Sequence, residues 1–330
     1  MEAAAAFRIV LLGESRNGKS SLGNTIFGEA IFFAKNFNDM DSFATEAQTK
    51  LVNGRNFTLI DTPGLFDSGR SPEAVKPELL RCIIECAPGP HVFLIVLKVE
   101  KYTEQEEDVI ANIRRYFSDD ALKYAAVVFT HGDQLPEGME IKQYADQSDG
   151  LRELVEKCGG RCHVFDNRYW KNNQEDDYRS NKFQLAELLN TIDKMLMENK
   201  GGFYRNKTLN DIEREMQEEI KLLKLSTENM SEGEMRQQVK SVVLKKQLKE
   251  TFWKKLVSVG AVGVGVGLLA WLIISGSNST SSLAEESVVE AAQPILHQKA
   301  EQAIPNTFEA ICDYLNALFE QTYNPFCPFD

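Results

Sequence analysis

A glycine-rich loop held between a buried strand and a helix leaves a chain few folds to choose from, and residues 13–20 form such a loop. Gly13-Glu14-Ser15-Arg16-Asn17-Gly18-Lys19-Ser20 has the G-x-x-x-x-G-K-[ST] spacing. The run before it, Phe7-Arg-Ile-Val-Leu-Leu12, is short, apolar and partly β-branched, as a buried strand should be. The stretch after it continues from Ser21 as helix, with apolar residues at 22, 26 and 27. Such a loop aims successive backbone N–H groups, and the positive end of the following helix, at a polyphosphate. Lys19 is placed to reach β- and γ-phosphates, and the Ser20 hydroxyl to ligate Mg²⁺. A purely structural glycine turn is the alternative, and it would not require these flanks.

From residue 7 to about 198, strand-like and helix-like segments alternate. Strands are predicted at 7–12, 56–61, 91–97, 124–130 and 162–166, and helices at 72–86, 103–118, 141–158 and 182–197. Continuous apolar strands alternating with helices predict an α/β fold, a mostly parallel sheet with helices on both faces. In that architecture ligands bind beyond the carboxyl ends of the strands. The net charge of −12 speaks against a nucleic-acid binder, which needs a basic face. Six cysteines without a C-x-x-C pair make no disulfide framework, and no secretory leader is expected, so a thiol-reducing compartment is the default. Cys158-Gly-Gly-Arg-Cys162-His163 lacks a second ligand pair for a metal and reads better as a turn into a strand.

Residues 199–255 are strongly charged and mostly helical. Apolar residues at 209, 212, 216, 220 and 223 form one stripe, to be packed on the chain's own domain or on a second chain. Leu256 to Ser275 carries no charge, and twenty helical residues span about 30 Å, a bilayer's hydrocarbon thickness. Lys245, Lys246, Lys249, Lys254 and Lys255 precede it and only Lys299 follows, so the N-terminal side is expected to be cytosolic. A helix covered by protein is the other reading of 256–275. The tail, 276–330, suggests no function; its Asn278-Ser279-Thr280 sequon has meaning only in a lumen.

Two further motifs fall at predicted strand ends. In Asp61-Thr-Pro-Gly64 the aspartate is placed to hold Mg²⁺ through water, and the Gly64 N–H to sense a γ-phosphate with no side chain in the way. In Thr130-His-Gly-Asp133 the Asp133 carboxylate is placed to accept N1–H and N2–H₂ of guanine, donors that adenine does not present. His131 is placed to lie on the base or to serve as a surface turn residue. Asn167 is placed to complete the base pocket, with Arg168, Tyr169 or Trp170 to cover it.

With these residues in hand, the chain resembles the GIMAP (IAN) family, the immunity-associated GTPases of the septin-like branch of P-loop GTPases. The resemblance covers 7 to about 198. It rests on the phosphate loop, on Asp61-Thr-Pro-Gly-Leu-Phe-Asp67, on Thr130-His-Gly-Asp133 and on Asn167-Arg168. Its most specific part is Pro88-Gly-Pro-His-Val-Phe-Leu-Ile-Val-Leu97 running to Tyr102-Thr-Glu104, similar to a box that marks that family. The resemblance implies a G domain over 7–198 that binds GTP or GDP with Mg²⁺ and self-associates, with itself or with related GIMAP proteins. It also implies anchorage to an intracellular membrane, here through 256–275, with the G domain in the cytosol. By the same resemblance Thr45 is the first-switch threonine that reaches Mg²⁺ when GTP is bound. Leu65 stands where many small GTPases carry a water-orienting glutamine, so slow hydrolysis is expected. Some family members recover activity when two G domains meet, and Arg114 and Arg115 are candidates for a charge supplied in trans, or else solvated helix charges. Glu100-Lys101 departs from the family's more usual Gly-Arg. A GTP-held scaffold without meaningful hydrolysis is the alternative function.

Overall fold

The computed structural model describes residues 6–32, 45–62, 64, 65, 67, 72–170, 177–226 and 230–258. The chain opens with β1, Phe7–Leu12, and passes through the glycine loop into α1, Lys19–Phe27. A hairpin follows, β2 (Glu46–Val52) and β3 (Arg55–Asp61). Then come α2 (Pro72–Cys86), β4 (Val92–Lys98) and α3 (Glu104–Phe117). A 3₁₀ helix over Asp119–Tyr124 leads into β5, Ala125–Thr130. After it stand α4 (Ile141–Ala145), α5 (Asp149–Lys157), β6 (Cys162–Val164) and α6 (Asn181–Glu198). Two long helices close the described chain, α7 (Lys207–Ser226) and α8 (Glu232–Ser258).

The strands form one sheet in the order β2-β3-β1-β4-β5-β6. All neighbouring pairs are parallel except β2 with β3. Side chains of a strand alternate between faces, and here both faces are covered. Val10, Leu12, Ile95 and Phe129 face the layer made by α2, α3, α5 and α7, whereas Ile9, Leu11, Leu94 and Val128 face α1 and α6. Continuous apolar strands are the consequence, because neither side of the pleat meets water.

Three local features differ from the sequence expectation. β2 was not expected as a strand: it lies at the sheet edge with no fully buried residue, and its Glu-Ala-Gln-Thr-Lys-Leu-Val has no apolar run. Asn53 and Gly54 both take left-handed φ, 49° and 78°, as a two-residue hairpin turn requires. The helix expected at 141–158 is two helices, because Ser148 adopts extended backbone (φ −118°) ahead of α5. β6 stops at Val164 rather than 166, freeing Asp166 for the role described below.

The charged extension does not stand apart. Leu209, Ile212, Met216 and Ile220 are buried in the same core as β1 and β4, with Leu223 packed at its margin. On α8, the Arg236 guanidinium donates to Glu213 (2.6 and 3.2 Å) and to the Ala87 carbonyl (2.8 Å), while Lys240 pairs with Glu85 at 2.7 Å. The stripe therefore packs on the chain's own G domain, within the unit Met1–Gln247. Residues 259–330 lie outside the described residues, and with them nearly all of the apolar segment 256–275 and the whole tail 276–330. Among the described residues no helix is long and apolar enough to cross a membrane.

Met216→Ala should lower stability by about 2–5 kcal/mol, read as a shifted urea midpoint at unchanged slope. A loss below about 0.5 kcal/mol would contradict the burial of α7. Two buried histidines set an acid dependence. Burial and the nearby Arg8 charge push His91 down to about 4, and its Nδ1 accepts the Arg8 N–H at 2.9 Å. Burial alone brings His163 to about 4. Both stay neutral in the fold and gain a proton on unfolding, so stability is full above the ordinary value of 6.5 and falls as pH drops from there toward 4. Urea midpoints at about pH 7 and pH 5 should differ in the parent and differ less in His163→Gln.

Candidate functional site

The loop between β1 and α1 keeps its shape because two residues lack a Cβ. At Gly13 (φ 146°) a Cβ would fall 2.3 Å from the Val96 carbonyl oxygen, and at Gly18 (φ 82°) 2.7 Å from Asn167 Nδ2. Asn17 fastens the loop to the neighbouring strands: its Nδ2 donates to the Val96 carbonyl at 3.1 Å, and its own carbonyl accepts from Thr130 Oγ1 at 2.8 Å. α1 starts at Lys19 with no side-chain cap and no acidic residue in its first turn. Its first N–H groups are thus left for an anion.

Lys19 is 6% exposed, and its Nζ donates to the carbonyls of Gly13 (3.0 Å) and Glu14 (2.7 Å). Burial lowers its pKa, against the opposing pull of Asp61, Asp67 and Glu14. Ser20 Oγ donates to Asp61 Oδ2 at 2.5 Å. Glu46 pairs with Asp61 in the β2–β3 ladder, which sets Thr45 beside the end of β3. The Thr45 N–H donates to Glu78 Oε2 at 3.2 Å, while its Oγ1 is buried without a hydrogen-bond partner among the described residues. A hydroxyl, a carboxylate and an orphaned second hydroxyl at one strand end are hard oxygen donors, and they fit Mg²⁺. Among the described residues no group of three or more His, Cys, Asp or Glu could hold a metal by itself. Cys158 ends α5 and its thiol is raised to about 12 by burial; Cys162 begins β6 after the Gly159-Gly160 turn.

The second half of the site lies past β5 and β6. His131 takes a left-handed φ of 58° and stays exposed, with its Nδ1 3.1 Å from Thr130 Oγ1. Gly132 donates its N–H to the Phe165 carbonyl (3.0 Å), and a Cβ there would strike the Trp170 ring at 2.7 Å. Trp170 therefore floors this loop. Asp133 is half-buried, its Oδ2 accepting from Gln134 Nε2 at 2.7 Å. Asn167 reaches back to Gly18, so the phosphate loop and the 130–133 and 166–170 segments are one assembly.

The organiser of that assembly is Asp166, which the sequence reading passed over. It is 2% exposed. Its Oδ1 accepts the N–H groups of Arg168 (2.8 Å), Tyr169 and Trp170 (3.3 Å), and its Oδ2 that of Asp133 (3.3 Å). Burial pushes its pKa up, but these hydrogen bonds outweigh burial and leave it lowered. The available signal was an aspartate opening a loop at a strand's end, where its side chain binds backbone two residues on.

Arg114 and Arg115 are not brought to this site. They lie in the last turn of α3, about ten residues and roughly 15 Å along the helix from Glu104. β4 ends at the phosphate-loop side, so a helix returning from it carries its last turn toward the opposite end of the sheet. There Arg114 pairs with exposed Asp119, and the Arg115 guanidinium lies 5.9 Å from the Tyr116 ring centre. Leu65, next to Gly64, has no exposed surface and belongs to the core cluster between the sheet and the α2–α3 layer.

Phosphate-loop residues, metal-type oxygens and a base-side aspartate thus gather at the carboxyl ends of β1, β3 and β5. Fold and site together define a G domain of the P-loop class. The AIG1 family model matches residues 7–224, and the chain belongs to that family. It is 30% identical over 204 residues to GTPase IMAP family member 8 of Rattus norvegicus, covering 62% of this chain and 28% of that protein. It is 34% identical over 198 residues to immune-associated nucleotide-binding protein 1 of Arabidopsis thaliana, covering 58% of this chain and 85% of the relative. Among solved structures, Toc33 from Arabidopsis thaliana in complex with GDP and Mg²⁺ superposes with a TM-score of 0.48 at 18% identity, over 59% of this chain and 86% of that one.

Leu65→Gln, the substitution that would install a water-orienting amide, should instead bury an unpaired polar group. We expect a loss of about 1–3 kcal/mol in urea unfolding and no rise in GTP turnover; a stable variant with faster turnover would show that position 65 turns toward the nucleotide.

Proposed function

We propose that this protein is a guanine-nucleotide-binding switch that self-associates when GTP is bound, on an intracellular membrane, with slow intrinsic hydrolysis that dimerisation raises. The observation that carries the reading is the convergence of Lys19, the Ser20–Asp61 pair, Thr130 and Asn167 around one loop. In this reading the N–H groups of 13–21 cradle the phosphates and the Lys19 ammonium exchanges its carbonyl partners for phosphate oxygens. Asp133 accepts the two guanine donors, His131 lies at the base, and Asn167 closes the pocket beside Gly18. Ser20 and Thr45 would ligate Mg²⁺ directly and Asp61 through water; the ion supplies charge neutralisation on the β- and γ-phosphates when bound. The IMAP and immune-associated names of the relatives support a nucleotide-binding role. Anchorage would come from 256–275, preceded by its lysines.

A second reading, a GTP-held scaffold, is favoured by the burial of Leu65, which leaves no side chain at that position to orient water. The two part on where a missing group could come from. Lys101 is exposed three residues past the end of β4, at the rim of the site, whereas Arg114 and Arg115 are remote from it. We therefore give the role in trans to Lys101 of a second copy.

For the full chain with Mg²⁺, labelled GDP should be displaced by GTP and not by ATP. Asp133→Asn should weaken GTP binding at least about tenfold, since it removes a charged acceptor of two hydrogen bonds. Equal displacement by ATP would sink the guanine assignment. Turnover per molecule should climb with protein concentration, and Lys101→Ala should flatten that climb while Arg114→Ala leaves it; a flat rate near zero in the parent selects the scaffold.

A further inference from the structure

One contact at the phosphate loop has no part in holding a nucleotide. The Ser15 N–H donates to Asp67 Oδ1 at 2.7 Å and the Ser15 hydroxyl donates to Asp67 Oδ2 at 2.7 Å, so a loop residue grips both oxygens of a carboxylate. Gly64 closes the same space from the other side. A Cβ on it would lie 2.1 Å from Asp67 Oδ1 and 2.2 Å from Ser15 Oγ. The buried Lys19 ammonium feels the Asp67 charge as well as those of Asp61 and Glu14. The carboxylate is therefore bounded by Ser15 and Gly64 and lies within the field of Lys19. Those same groups are the ones a terminal phosphate of GTP would address.

We propose that Asp67 is a specificity-determining residue that stands in for the γ-phosphate, so that GTP binds only by expelling the Asp67 carboxylate from Ser15 whereas GDP leaves it in place. This rests on the guanine-nucleotide reading above. Two anions cannot share one small donor set without one of them losing its hydrogen bonds or its charge. A nucleoside diphosphate stops short of the contested position and keeps the Ser15–Asp67 grip. A triphosphate supplies a stronger anion for Ser15 and Lys19 and turns the carboxylate out.

The test uses the full chain with Mg²⁺, with dissociation constants for GDP and for a non-hydrolysable GTP analogue measured by competition with a fluorescent guanine nucleotide. Asp67→Asn keeps the shape and removes the charge. It should tighten the analogue about tenfold while GDP affinity stays within about twofold. Asp67→Ala removes the carboxylate altogether and should shift the ratio the same way; it carries the test alone if the Asp67→Asn variant fails to fold. A residue that only braces the loop would, when changed, weaken both nucleotides together, and that result would overturn the proposal. So would a triphosphate-to-diphosphate ratio unchanged in both variants. A parent protein that binds neither nucleotide would instead defeat the guanine-nucleotide reading on which the proposal stands.

Discussion

The close approach of the phosphate loop to the backbone of β4 governs the rest of the site. At Gly13 there is no room for a single carbon against the Val96 carbonyl, and Asn17 donates to that same oxygen. Thr130, the last residue of β5, bonds the Asn17 carbonyl, so three strands define where the loop runs. With the loop fixed, α1 can begin at an uncapped Gly18 and present bare N–H groups. The cost is left-handed backbone at Arg16 as well as at Gly18, a local strain that surrounding hydrogen bonds must hold. A side chain on Gly13 would not merely crowd the loop. It would push it off β4, and Lys19, Ser20 and the start of α1 would move with it.

Carboxylates arrange everything around that loop. Asp61 takes the Ser20 hydroxyl, Asp67 takes Ser15, Glu78 takes the Thr45 N–H and Asp166 gathers four N–H groups. They divide into two kinds. Asp166 is enclosed, its carboxylate bonded to backbone N–H groups of its own and the neighbouring loop and to the Asp133 side chain, and these hydrogen bonds lower its pKa and hold the base side in shape. Asp67 and Glu78 instead hold groups that a bound nucleotide and its metal would claim.

Most of the fold was legible from the strands, because a sheet covered on both faces writes itself as unbroken apolar runs, as at β1, β4 and β5. β2 was not legible for the opposite reason: an edge strand half in water has no such run, and only the Asn53-Gly54 pair marked it. At the site, spacing alone placed Lys19, Ser20, Asp61 and Asp133 together, since each follows a strand whose carboxyl end is shared. Asp166 escaped notice because its work is done on backbone N–H groups, and the only signal it leaves is an aspartate opening the loop at a strand's end. For Arg114 and Arg115, charge can be read from a sequence but direction cannot; the turn of α3 that carries them points to the far end of their own sheet. For the stripe on α7, periodicity gave the buried face, and only packing gave its partner.

The leucine at position 65 sets a limit on what this site can do by itself. A side chain that orients water must stand at the nucleotide, half solvated and free to bond. Leu65 is instead fully buried in the core cluster that also holds residues of β1, β4 and α2. Core packing and water positioning therefore compete for one residue, and here packing has it. Truncating a buried leucine costs about 2–5 kcal/mol, a large part of the stability of an ordinary domain. A polar replacement would lose that packing and add an unpaired amide.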